Sequence, residues 1–251
     1  MMKNINELSK NDIRDIELIV FDVDGVLVRR GTNIKSGKDF LNLELKSIGD
    51  DEINKIRELY KSDCFDINIS SGRGLYMLQL MFREVLQYVS LTYENGSATW
   101  INGHIIQHVN SYNQLKPVFD KLLSVKNEKI FGWEPKEFII TIHCSDRVNE
   151  IEEITNEFNY LYCIWNGEAY DIGIKNRQTK SNGLKNLISM LELERNNVLV
   201  IGDNYNDEDL MSIGGISITA DKSRVIGDFW VPLNDDKLPA NILISKILSI
   251  L

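Results

Sequence analysis

Short apolar runs alternate with longer amphipathic stretches at both ends of the chain. In the first part, strands are predicted at Glu17 to Phe21 and at Phe65 to Ile69, with helical stretches from about Gly37 to Tyr60. The last part predicts a helix, a strand, a helix, a strand and a closing helix, in this order: Lys180 to Leu193, Asn197 to Ile201, Asp207 to Ile213, Gly215 to Thr219 and from about Ala240. This alternation predicts a parallel sheet that is covered by helices on both faces.

The middle of the chain has a different texture, with several strands and fewer helices. Its strand candidates are Thr99 to His108, Glu137 to Cys144, Leu161 to Trp165 and Ala169 to Ile174. Its helix candidates are Gln114 to Val125 and Asp146 to Phe158. We therefore predict an α/β fold in two parts. Residues 1–98 and 175–251 would form the core, and residues 99–174 would form a smaller inserted α+β domain.

Composition narrows the class of protein. The chain has 251 residues and a net charge of −9, which argues against a nucleic-acid-binding surface. It contains no run of 18 apolar residues, so no membrane span is expected. Its polar N-terminus and three scattered cysteines fit a reducing cytoplasm. A small molecule is the expected partner, and the oligomeric state is left open.

Two acidic clusters follow apolar strands. Asp22, Asp24 and Gly25 come directly after the first strand, and the segment Gly202 to Asp207 follows the strand that ends at Ile201. Two carboxylates at one strand tip repel each other unless a cation or a shared proton stabilises them. We therefore expect one shared site for a hard cation such as Mg²⁺. A single aspartate at a strand end is more often a turn former or a helix cap, and capping remains an alternative for Asp207.

Four short motifs occur in order along the chain. The first is Asp22, Asp24 and Gly25, and the second is Ser70-Ser71-Gly72-Arg73 at the end of a strand. The third is Lys180 near a helix start, and the fourth is Gly202-Asp203 followed by Asn206-Asp207. In these residues the chain resembles the haloacid dehalogenase-like phosphatases, and the resemblance spans about Ile19 to Asp221. It implies a Rossmann-like core.

The resemblance implies catalytic roles for several of these residues. Asp22 would be the nucleophile that forms an aspartyl-phosphate, and Asp24 would be the general acid and then the base. Ser71 and Gly72 would bind the phosphoryl group, although Ser70 remains possible in place of Ser71. Lys180 would reduce the repulsion between nucleophile and phosphate.

The resemblance also implies a magnesium site. Asp22, the backbone carbonyl of Asp24, and Asp203 would hold Mg²⁺, and Asp207 would complete or support the coordination. Asn206 would orient the phosphate-binding site by hydrogen bonding. The role of Arg73 stays open, because an arginine on a first helical turn equally forms a local salt bridge.

The position of the inserted domain indicates a subgroup. The predicted elements fill the stretch between Asp22 and Ser71, whereas the stretch between Ser71 and Lys180 has room for a domain. A cap in that position resembles the sugar-phosphatase branch of the family. Within the cap, the residues considered as substrate contacts are His104, His108, His143, Trp100, Trp133, Trp165, Glu168 and Tyr170, each of which is more readily a core or surface residue.

These observations predict a Mg²⁺-dependent phosphatase that acts on a small phosphorylated metabolite, a sugar or polyol phosphate. A phosphomutase of the phosphomannomutase type uses the same pair of aspartates and is the first alternative. A non-catalytic phosphate-binding regulatory protein is the second alternative.

Overall fold

The computed structural model describes residues 2–31, 33–36, 41–232 and 236–251. Its strands are β1 Lys3–Asn4, β2 Leu18–Phe21, β3 Asn33–Ser36, β4 Leu41–Glu44, β5 Asp66–Ser70, β6 Ser90–Tyr93, β7 Ala98–Ile101, β8 His104–Gln107, β9 Ile130–Glu134, β10 Ile140–Cys144, β11 Leu161–Trp165, β12 Ala169–Ile174, β13 Val198–Gly202, β14 Ile216–Thr219 and β15 Phe229–Trp230. Its helices are α1 Asp50–Lys61, α2 Leu75–Met81, α3 Tyr112–Leu122, α4 Asn149–Asn156, α5 Lys180–Met190, α6 Glu208–Met211 and α7 Pro239–Ile250.

The large sheet has nine strands in the order β1-β15-β14-β13-β2-β5-β6-β7-β8. The strands from β1 to β6 in this order are parallel, and β7 and β8 add an antiparallel edge. A separate antiparallel sheet has the order β11-β12-β10-β9. The predicted fold class, a parallel-sheet α/β core with a smaller α+β part, is confirmed.

Strand β2 is apolar at all four positions, as is typical of a parallel strand that is buried on both faces. Leu18 and Val20 pack into one apolar cluster with α5 and α6. Ile19 and Phe21 pack into another cluster with α1, α2 and α7. The sheet therefore lies between two helical layers, and its central strand has no face that solvent can reach.

The four-stranded sheet has a single apolar face, which α3 and α4 cover. The buried side chains of that layer include Val118, Leu122, Ile142, Ile151, Tyr170 and Ile172. The opposite face of this sheet carries polar side chains, among them Thr141, His143 and Asp171. Among the described residues, no helix is long and apolar enough to cross a membrane.

A buried carboxylate ties the two sheets together. Glu94 follows β6, is 0% exposed, and accepts hydrogen bonds from the backbone N–H groups of Glu137, Phe138 and Ile139 at 2.9, 2.7 and 3.0 Å. Gln178 donates to the carbonyl of Phe138 at 2.6 Å, just before α5 begins. The segment that enters β10 is therefore held by core residues on both sides.

Two of the predicted elements are wrong in detail. Residues 37–40 of the helical stretch predicted from about Gly37 to Tyr60 lie outside the described residues, and residues 41–44 form β4, paired antiparallel with β3. The helix begins only at Asp50, where three acidic residues occupy the first turn and Gly49 is the N-cap. Negative charge in a first turn favours a helix start at that point.

The strand predicted from Thr99 to His108 is a hairpin of two strands, β7 and β8. Asn102 and Gly103 both have positive φ angles, of 50° and 85°, as a tight two-residue hairpin turn requires. Both strands pair within the nine-stranded sheet rather than the four-stranded one.

The division of the chain into core and cap domains at residue 99 stays a prediction, although these two strands belong to the large sheet. Strands β6 and β9 were not predicted from the sequence.

We predict that Glu94→Ala lowers the free energy of unfolding by about 3 kcal/mol, because three backbone donors lose their acceptor together. Urea denaturation measures the change. Glu153→Ala removes an exposed glutamate from α4 and serves as the control, with an expected change within about 0.5 kcal/mol. Equal midpoints for the two variants would contradict the structural role of Glu94.

Candidate active site

Three neighbouring parallel strands end at the same edge of the large sheet. The register aligns Ile201 of β13, Phe21 of β2 and Ile69 of β5. Asp22 and Asp203 therefore leave adjacent strands side by side, and the N–H of Asp22 donates to the carbonyl of Ile201 at 3.0 Å. Parallel sheets bind ligands at this edge.

Lys180 lies between two of the predicted carboxylates. Its Nζ donates to Oδ1 of Asp22 and to Oδ1 of Asp207, each at 2.6 Å, and all three side chains are almost completely buried. Lys180 is the first residue of α5, where the side chain of Thr179 caps the helix. The helix start thus places an ammonium group directly beside the proposed nucleophile.

Burial controls the protonation of this group of side chains. Burial, and then repulsion from Asp207, raise the pKa of Asp22 to about 8 although Lys180 opposes the shift. Burial disfavours the charged form of Lys180, but Asp207 and Asp22 outweigh that effect, so the pKa of Lys180 lies above its ordinary value. A nucleophilic carboxylate must be ionised, and a further cation next to Asp22 would favour the ionised form.

The donor set fits a hard divalent cation. Asp22, Asp203 and Asp207 each offer a carboxylate oxygen, these oxygens lie within 4.8 Å of one another, and all three residues are buried. Buried carboxylates in such proximity need positive charge between them. Oxygen ligands at this spacing are the kind that Mg²⁺ takes.

Asp207 is held firmly from its other side. Its Oδ2 accepts the backbone N–H groups of Asp203 and Asn204 at 3.1 and 3.2 Å. Because Oδ1 already accepts from Lys180, both oxygens have protein donors. This arrangement favours a supporting role for Asp207, beside the capping role that sequence left open.

Asp203 contacts an arginine that the sequence analysis did not consider. Nε of Arg30 donates to Oδ2 of Asp203 at 2.6 Å, and Nη2 donates to its backbone carbonyl at 3.0 Å. Burial raises the pKa of Asp203 to about 6, although Arg30 opposes the shift. Gly25 makes this approach possible, because a Cβ there would lie 1.8 Å from Oδ2 of Asp203.

The side chain of Asp24 is engaged by Arg73. Nε and Nη2 of Arg73 donate to Oδ2 and Oδ1 of Asp24 at 2.9 and 2.8 Å, as a bidentate pair. Arg73, whose role the sequence left open, thus reaches the site from the segment before α2 rather than pairing locally.

The segment after β5 supplies the predicted phosphate contacts. Ser71 and Gly72 line the cavity above Asp22, and Asn206 lines it from the other side. Ser70 is buried at 1% exposure within its strand and does not line this cavity, which favours Ser71 over Ser70. The structure thus brings the predicted residues together, and their individual roles stay predictions.

The cavity above these residues has a volume of about 290 Å³, and its far wall comes from the four-stranded sheet. The wall residues are Glu134, Thr141, His143, Glu168 and Asp171. His143 and Glu168 were among the substrate contacts considered from sequence, whereas Tyr170, Trp133 and Trp165 pack in the apolar layer of this sheet. Trp100 packs against the core instead.

Sequence reasoning missed Glu134, Thr141 and Asp171. A usable signal was present, because the segments Ile140 to Cys144 and Tyr170 to Ile174 alternate apolar residues with polar or small ones. Such alternation predicts a second, polar face on each strand. It does not predict that this face lies over the aspartates.

Comparisons with known proteins agree with this geometry. Residues 110–224 match the family model of the haloacid dehalogenase-like hydrolases. A phosphoglycolate phosphatase of Sulfolobus acidocaldarius is 25% identical over 223 residues, which cover 85% of this chain and 89% of the relative.

Two solved structures share the fold. A phosphatase of the haloalkanoate superfamily from Bacteroides thetaiotaomicron has a TM-score of 0.70 at 14% identity, covering 94% of this chain and 96% of that one. The C-terminal domain of trehalose-6-phosphate phosphatase from C. albicans has a TM-score of 0.67 at 15% identity, covering 99% and 97%. The chain is thus similar to the haloacid dehalogenase-like hydrolases in a family model and to phosphatases in sequence and fold, and its four motifs converge at one sheet edge.

Proposed function

We propose that this phosphatase hydrolyses a small sugar or polyol phosphate with Mg²⁺, through a phosphorylated Asp22. The observation that carries the proposal is the buried contact of Asp22 with Lys180 directly beneath a polar cavity. A carboxylate that is fixed at a strand end next to a cation suits nucleophilic attack on phosphorus.

The reaction proceeds in two displacements. An oxygen of Asp22 attacks phosphorus, the bond from phosphorus to the ester oxygen breaks, and Asp24 gives a proton to the departing alkoxide. Asp24 then takes a proton from water, which attacks the acyl phosphate. Inorganic phosphate leaves and the Asp22 carboxylate is restored. Lys180 stays next to both anions throughout and reduces their repulsion.

Asp22, Asp203 and the backbone carbonyl of Asp24 would hold Mg²⁺, and Asp207 would support them through Lys180 and the loop that follows β13. Bound Mg²⁺ supplies positive charge to the phosphoryl oxygens. Arg30 forms a salt bridge with the carboxylate of Asp203, so Mg²⁺ and Arg30 would share this carboxylate.

The relatives support the phosphorylated substrate but point to different leaving groups. One is a trehalose-6-phosphate phosphatase, named for a sugar phosphate, and another is a phosphoglycolate phosphatase, named for the ester of a small hydroxy acid. We favour the sugar or polyol class because the far wall of the cavity is rich in carboxylates. The cytoplasmic location expected from sequence stays a prediction.

We predict that Asp22→Asn lowers phosphate release by at least about 10³-fold, because the amide is not a nucleophile toward phosphorus. Phosphate release is measured over a panel of sugar, polyol and nucleotide monophosphates with Mg²⁺. Asp120→Asn, on the exposed surface of α3, is the matched control and retains full activity.

Turnover by Asp22→Asn at the rate of the control would contradict the nucleophile assignment. Conversion of a sugar phosphate to an isomer without free phosphate would identify the phosphomutase alternative instead. Failure to turn over any member of the panel would favour the regulatory alternative.

We predict that Mg²⁺ stabilises the fold and that Asp203→Asn removes this effect. At a hundredfold excess over its dissociation constant, a ligand that binds only the folded state adds about 2.7 kcal/mol to the free energy of unfolding. Thermal unfolding with and without Mg²⁺ measures the effect directly. An Asp203→Asn protein that keeps the full Mg²⁺ shift would remove Asp203 from the metal site, and the same Asp120→Asn control should keep it.

A further inference from the structure

The far wall of the cavity is the polar face of the four-stranded sheet. In β10 and β12, alternate residues pack into the apolar layer, namely Ile140, Ile142, Cys144, Tyr170, Ile172 and Ile174. The residues between them point the other way, so Thr141, His143 and Asp171 line the cavity opposite Asp22 and Asp24. The phosphoryl group belongs at the Lys180 end, so the leaving group of a substrate faces this wall.

Asp171 is the oriented carboxylate of the wall. The hydroxyl of Thr141, which is 2% exposed, donates to Oδ1 of Asp171 at 2.5 Å. Within the described part of the chain, no donor reaches Oδ2 of Asp171. A carboxylate oxygen that is fixed by a neighbour and left open on its second side accepts a hydrogen bond from a ligand hydroxyl.

His143 is a second polar residue of the wall, and it contacts a carboxylate. Its Nε2 contacts Oε2 of Glu134 at 2.8 Å. Burial alone would raise the pKa of Glu134, but Lys136 and His143 together outweigh burial, so this pKa lies below its ordinary value. Because the Glu134 carboxylate only accepts, Nε2 carries the proton of this contact. Nδ1 of His143 is buried and has no partner among the described residues.

Positive charge on this side is already paired. Nζ of Lys136 lies 3.1 Å from Oε1 of Glu134 and donates to the carbonyl of Gly72 at 2.8 Å. Asp171 and Glu168 line the cavity with no cation paired to them in the described ranges. The wall therefore offers hydrogen-bond acceptors and net negative charge to the leaving group.

We propose, building on the proposed phosphatase function, that Asp171 selects leaving groups that are neutral and bear hydroxyls, and excludes those that bear a carboxylate. A hydroxyl donates to the open oxygen of Asp171. A carboxylate has no proton to donate and meets like charge at close range, which costs both the hydrogen bond and Coulomb repulsion.

The test uses two esters of matched size, 2-hydroxyethyl phosphate and 2-phosphoglycolate, which differ in a hydroxymethyl group against a carboxylate. For the wild-type protein we expect kcat/KM to be at least about tenfold higher for 2-hydroxyethyl phosphate, since like charge next to a reacting group costs about 1.4 kcal/mol or more. An equal or higher kcat/KM for 2-phosphoglycolate would overturn the proposal without any variant.

Asp171→Asn removes the charge and keeps the size, and it is expected to lower the ratio at least fivefold through a relative gain on 2-phosphoglycolate. Asp146→Asn, in the exposed segment after β10 and paired with Lys129, is the control and keeps the wild-type ratio. An unchanged ratio for a folded Asp171→Asn protein would overturn the role of Asp171. If Asp171→Asn does not fold, the wild-type ratio still decides the class of leaving group.

The generic ester p-nitrophenyl phosphate separates this proposal from the proposed function. Hydrolysis of that ester with no preference between the matched pair would overturn the selectivity alone. Absence of hydrolysis for all three esters would overturn the phosphatase function itself, and the selectivity with it.

Discussion

The buried contact of Lys180 with Asp22 and Asp207 is the interaction on which the site depends. Ions that leave water pay a large desolvation penalty, and their attraction offsets it only when the hydrogen-bond geometry is good and the remaining oxygens are satisfied. Here both contacts are 2.6 Å, and the second oxygen of Asp207 accepts two backbone N–H groups. Lys180 thus joins the end of β2 to the loop after β13 through the start of α5.

The same constraint explains the two arginines. Asp22, Asp24, Asp203 and Asp207 crowd one end of the sheet, and Lys180, Arg30 and Arg73 contact them, so four acidic side chains meet three basic ones. A divalent cation reverses this balance and prepares the site for a phosphate dianion. Arg30 and Arg73 therefore contact two carboxylates to which the proposed reaction assigns metal binding and proton transfer.

Sequence predicts the parts of this arrangement that lie on one strand or helix. Asp22 and Asp203 follow continuous apolar runs, and parallel strands bring such ends together, so their convergence is predictable. The contacts of Arg30 and Arg73 are not, because each depends on how a loop folds back over the sheet edge. The predicted helix starts too early because residues 41–44 pair with 33–36 in a hairpin, which helical periodicity does not encode. Asp171 shows the same limit, since alternation gives its face but not what that face covers.

The two halves of the cavity are linked through one more buried cation. Lys136 contacts Glu134 of the wall and the carbonyl of Gly72, which directly follows the proposed phosphate-binding Ser71. Glu94 holds the next residues, 137–139, against the core. A displacement of the wall would therefore pull on the proposed phosphate-binding loop. These contacts hold the wall and that loop at one separation, which under the proposed function favours one size of substrate.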